Sequence, residues 1–149
     1  MKLPLESIEV ELVAKKLEKL GGYLRELEQL VGLSLKEYER DVRARRATER
    51  LLQIIIETAC DINGHFVAKL ARKAPASRRD SFHDLASLGV LHKDVAQQLA
   101  QSVGLRNRLV HDYDVLSDRL VHQAAQEALD QYAAYGRTIH RILRGEGAG

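Results

Sequence analysis

Apolar residues recur along this chain at steps of three and four, and no stretch alternates apolar and polar residues long enough to make a strand. Helix is therefore expected almost throughout, with only Pro4 and Pro75 available to interrupt it. Leu17, Leu20, Leu24, Leu27 and Val31 lay one apolar stripe along a first helix from about residue 5 to 31. Gly21-Gly22 weakens its middle, either as a bend or as a place where another helix approaches closely. Gly32 reads as its end cap, and Ser34-Leu35-Lys36-Glu37 as a capping box that opens a second, long helix. The core stripe of that helix is Ile55, Ala59, Ile62, Phe66 and Leu70. A second stripe, Arg46, Arg50, Gln53, Glu57 and Asp61, is polar, and reads either as a solvated face or as a surface at a helix or subunit contact.

Arg72-Lys73-Ala74-Pro75-Ala76-Ser77-Arg78-Arg79 breaks the pattern with proline, small residues and four positive charges. A loop is expected there, with Arg78 and Arg79 as candidate contacts to phosphate. Ser81 then caps a short helix ending near Gly89, and a further helix runs from about His92 through Val95, Leu99 and Val103 toward Val110. Ser117-Asp118 begins a last helix whose apolar face is Leu120, Ala124, Ala128, Tyr132, Tyr135, Ile139 and Ile142, before a frayed tail over 145–149. The expectation is an all-α, up-and-down bundle of about five helices, forming one domain over residues 1–149.

A chain of 149 residues with 45% apolar residues is long enough to close one core. Its 23 Lys and Arg nearly balance 21 Asp and Glu, leaving +2. Nucleic-acid binding would therefore need a local basic patch or an assembled interface. The lone Cys60 forms no intramolecular disulfide, which fits a reduced, cytoplasmic compartment. No signal segment opens the chain, and no apolar run approaches the roughly 18 residues of a bilayer span. The sequence holds no Gly-rich phosphate loop, His-Glu-x-x-His, cysteine pair or Gly-x-Ser-x-Gly, and its six histidines do not cluster at ligand spacing, so no metal site is expected.

One constellation remains, Arg106-Asn107-Arg108-Leu109-Val110-His111-Asp112-Tyr113, which gathers guanidinium, amide, imidazole and phenol groups suited to phosphate chemistry. On an ideal helix positions 107 and 111 share a face, whereas 106 and 111 lie about 140° apart. Arg106 and His111 converge if the helix unwinds near His111, which Asp112 and Asp114 favour, or if two subunits each contribute to a shared cleft. The plainer reading is an amphipathic helix end with Leu109 and Val110 buried and Arg108 solvated.

Arg106-x4-His111-x-Tyr113, with Asn107 directly after the arginine, resembles the motif of the HepT toxins of the HEPN superfamily, the toxin half of HepT–MntA, type VII toxin–antitoxin pairs. The surrounding chain is similar too, in Glu49-Arg50-Leu51-Leu52-Gln53, in Asp61-Ile62 later on that helix, and in a motif placed before a final long helix. The resemblance implies a HEPN-like fold and a homodimeric, metal-independent endoribonuclease without cofactor. Its catalytic pair would be Arg106 and His111, with Asn107 and Asp61 in support; the basic segment and the motif's own charge add Arg78, Arg79 and Arg108 as candidate RNA contacts. It further implies that Tyr113 receives AMP from a partner nucleotidyltransferase of MntA type, which silences the toxin. An alternative keeps the fold without catalysis: a helical binding subunit that docks a nucleotidyltransferase and holds nucleotide or substrate. A third is a purely structural dimerisation module.

Overall fold

Residues 5–111 and 116–146 are described by a computed structural model, and among them the only regular structure is helical. A single 3-10 turn, Leu5–Ser7, precedes α1 (Val10–Val31), α2 (Leu35–Arg40), α3 (Val42–Ala71), α4 (Arg78–Ser87), α5 (Lys93–His111) and α6 (Asp118–Leu143). The all-α expectation holds. The extra element arises at Asp41. The Ser34–Glu37 capping box forms with both reciprocal bonds, 2.9 and 3.2 Å. After the six residues of α2, Asp41 turns extended, and its carboxylate accepts from the Ala44 N–H at 3.0 Å. A short carboxylate that satisfies a fresh helix start divides what periodicity alone reads as one helix.

α3 is the axis of the fold. α1 and α6 pack on one another and on α3, α4 and α5 do the same, and the two pairs meet along α5 and α6. The core stripe of α3 is buried at Ile55, Ala59, Ile62 and Phe66, while Leu70 packs at its margin. Phe82, Tyr132 and Tyr135 meet one another edge to face in the same core, with ring centroids 6.0–6.5 Å apart. α1 runs unbroken through Gly21-Gly22, and Gly21 lines an apolar groove of about 740 Å³ shared with Leu17, Leu24 and Gly136. In α6 the buried face begins at Val121 and Ala125 rather than Leu120 and Ala124, and Leu120 stands exposed. No helix among the described residues is long and apolar enough to cross a membrane.

The start of α4 differs most from the sequence reading, and this difference bears on the site. Ser77, not Ser81, is the cap: its hydroxyl accepts from the Asp80 N–H at 3.0 Å. Ser81 lies inside the helix, buried, and its hydroxyl donates to the Arg78 carbonyl at 2.6 Å. Arg78 and Arg79 therefore occupy the first turn of α4 rather than a loop. A buried chain of hydrogen bonds holds that turn to the core: the Tyr135 hydroxyl donates to Asn63 Oδ1 at 2.6 Å, and Asn63 Nδ2 donates to Ser81 Oγ at 3.1 Å.

Candidate functional site

The last buried position on α5 is an arginine. Val103 is a core residue, and three positions on the same flank presents Arg106, whose side chain is only 9% exposed. A guanidinium at that depth requires partners. Its Nε and Nη2 both reach Glu57 Oε2 of α3, at 2.8 and 2.7 Å, and its Nη1 donates to Asn107 Oδ1 at 3.2 Å. Gln53, one turn before Glu57, donates to the same carboxylate oxygen at 3.2 Å. The arginine is thus oriented from two helices, and part of its fork of donors stays unspent for a ligand.

Burial works to raise the Glu57 pKa, but hydrogen bonds from Arg106 and Gln53 and the charges of Arg106 and Arg78 outweigh it and hold the carboxyl below its ordinary value. Because the folded-state pKa is depressed, the pair stabilises the protein above the ordinary value of 4.5 and loses that contribution as pH falls through the depressed one. The gap in melting temperature between wild type and Glu57→Gln is therefore expected to hold from neutral pH to about 5 and to close toward pH 3. A gap that persists at pH 3 would show that the charge on Glu57 does not matter.

Glu57 is the residue that sequence reasoning passed over. It was visible as one member of the polar stripe on α3, but which carboxylate meets Arg106 depends on how α3 and α5 pack in register. Asp61, one turn further along α3, is 66% exposed at its side chain and pairs with Lys16 of α1 at 3.8 Å. It does not reach Arg106, whose described partners are Glu57 and Asn107.

α5 keeps its helical form through His111, so the two motif residues are not brought together by unwinding ahead of the histidine. In one copy they are offset by about 140° and about 7.5 Å along the axis. His111 and Asn107 are exposed, as are Arg108 and, across on α4, Arg78 and Arg79. Tyr113 and its two neighbouring aspartates lie outside the described residues. Burial pushes the Cys60 thiol up to about 11, so it offers no thiolate nucleophile at neutral pH. The arrangement provides a held guanidinium, an exposed imidazole and exposed cationic groups, a set that binds phosphate and moves protons.

Comparison with known proteins agrees with that chemistry. Residues 20–139 match the family described as Ribonuclease HepT-like. The chain is 38% identical over 137 residues to the tRNA nuclease HepT of Aphanizomenon flos-aquae, a match covering 92% of this chain and 93% of that protein. It is 26% identical over 125 residues to the mRNA nuclease HepT of Shewanella oneidensis, covering 84% and 93%. Among solved structures, a tri-AMPylated Shewanella oneidensis HEPN toxin in complex with an MNT antitoxin superposes with a TM-score of 0.79 at 25% identity, over 89% of this chain and 97% of that one.

Proposed function

Because the chain belongs to the Ribonuclease HepT-like family, we propose that it is the toxin of a toxin–antitoxin pair, an endoribonuclease that cuts RNA at a site shared by two subunits of a homodimer. The observation that carries this reading is Arg106, buried and clamped by Glu57 at 2.7 Å on the helix that ends in the exposed His111. A single copy leaves arginine and histidine facing apart. A second copy supplies the missing half, and with it two imidazoles.

In the proposed reaction one His111 takes the proton from a ribose 2′-hydroxyl, and that oxygen bonds to the adjacent phosphorus. The P–O5′ bond breaks, and the leaving oxygen takes a proton from the other histidine. The products are a 2′,3′-cyclic phosphate and a 5′-hydroxyl. An imidazole with a reference pKa near 6.5 serves either step. Arg106 holds the phosphate as its negative charge grows, Asn107 keeps the guanidinium turned, and Glu57 takes the supporting role that Asp61 is too far along α3 to fill. Arg78, Arg79 and Arg108 line the approach for the RNA backbone. Since the relative with 38% identity is named a tRNA nuclease, tRNA is the substrate to try first. Incubation of the purified protein with total tRNA and a chelator is expected to yield fragments with cyclic phosphate ends, and tRNA and mRNA that both stay intact would refute the proposal.

Regulation follows from Tyr113, two positions after His111. We infer that a partner nucleotidyltransferase of the MNT type joins the tyrosine oxygen to the α-phosphate of ATP and releases pyrophosphate. Each added AMP places a bulky anion near the phosphate site, blocking it by charge and by volume. Mixing the protein with such an enzyme and ATP is expected to add the mass of one or more AMP units to the peptide bearing Tyr113 and to stop cleavage. Stable inhibition without a mass gain would point to simple docking.

A further inference from the structure

Gly104 lies inside α5, where glycine weakens a helix and no left-handed backbone requires it. The space where a Cβ would stand is occupied. An alanine Cβ would come within 2.6 Å of Arg79 Nη2 and 3.8 Å of its Cζ, so the guanidinium from α4 rests in a slot left by the glycine. Among the described residues no carboxylate pairs with Arg79. Its neighbour Asp80 is bound to the Ser77 cap. An exposed guanidinium set beside the glycine, with no carboxylate on it among the described residues, keeps its donors open to a ligand.

Helical geometry gives this cation its place. Taking Gly104 as zero, Asn107, Arg108 and His111 fall at about −60°, +40° and −20°, whereas Arg106 falls at about 200°. Arg79 therefore shares the His111 face of α5, about 10 Å back along the axis, and is separate from the Arg106–Glu57 pair. Within one copy, Arg79 and Arg106 thus lie on opposite sides of α5.

We propose that Arg79, seated in the slot at Gly104, holds an RNA phosphate neighbouring the scissile one, forming a substrate subsite beside the catalytic centre. The proposal rests on the nuclease reading above. The guanidinium fork suits a phosphate with two parallel hydrogen bonds, and the contact carries no base information, so it acts on affinity and register rather than on sequence choice.

The test measures binding of total tRNA across a salt series in a His111→Ala background, so that chemistry does not intervene. Arg79→Ala is expected to weaken binding about tenfold and to reduce the slope of log affinity against log salt by about 0.7–0.9, the loss of one phosphate contact. Gly104→Ala is expected to displace the guanidinium and weaken binding several-fold without lowering the melting temperature, because alanine is the better helix former and a flexible tip gives way. Combined with Arg79→Ala, it is expected to add nothing further. Unchanged affinity and slope in Arg79→Ala, or a Gly104→Ala loss that is as large without Arg79, would overturn the subsite while leaving the nuclease standing. A parent protein that binds no tRNA overturns both.

Discussion

Arg106→Ala is expected to lower RNA cleavage by about 10²–10³-fold, the scale of losing one preorganised group at a developing charge. The reason is the depth and fixity of the guanidinium: it is 9% exposed, with its orientation set by Glu57 and Asn107 before substrate arrives. Arg106→Lys keeps the charge but lacks the planar fork, and a compact ammonium cannot span the carboxylate and a phosphate together. Little activity is expected to return. The stability cost of Arg106→Ala is smaller, about 1–2 kcal/mol, because the Glu57 side chain is 28% exposed and keeps its bond from Gln53. Single-turnover cleavage beside denaturant unfolding separates the two effects. A variant that loses several kcal/mol of stability and activity in parallel would make Arg106 a structural residue.

The second large effect concerns the frame that carries the site. Asn63→Ala is expected to destabilise the protein by about 2–4 kcal/mol, read as a shift of the denaturant midpoint at unchanged slope. Asn63 is fully buried and joins three helices: it accepts from Tyr135 of α6 and donates to Ser81 of α4, whose hydroxyl holds the Arg78 carbonyl. Alanine breaks that chain and leaves a void in a close-packed interior. The Tyr135 hydroxyl keeps a partner in the Ala59 carbonyl at 3.1 Å, which keeps the cost below that of an orphaned hydroxyl added to the void. A loss under about 0.5 kcal/mol would show that the network does not tie α4 to the core.

Periodicity was enough for the core of α3, the Ser34 capping box and the all-helical class, since each depends on residues within a few positions of one another. The misreadings also have local causes. Asp41 and Ser77 each start a helix by a side-chain bond to the third residue on; Asp41 divides what the apolar stripe reads as one helix, and Ser81, an equally good cap by residue type, lies inside α4. The motif around Arg106 and His111 was legible as residue types and as a resemblance. Its supporting carboxylate was not. Glu57 and Asp61 sit one turn apart on one polar stripe, and the packing of α3 against α5 and α1 gives one to Arg106 and the other to Lys16. The seat of Arg79 at Gly104 was hidden for the same reason, because a contact between α4 and α5 leaves no periodic trace.

If His111 moves protons in RNA cleavage, wild type and His111→Ala, both shown folded by circular dichroism, differ when assayed side by side on tRNA. Wild type is expected to cut, and the variant to be slower by about 10²–10⁴-fold, the range of general acid–base catalysis. Equal cleavage by the two proteins would contradict it.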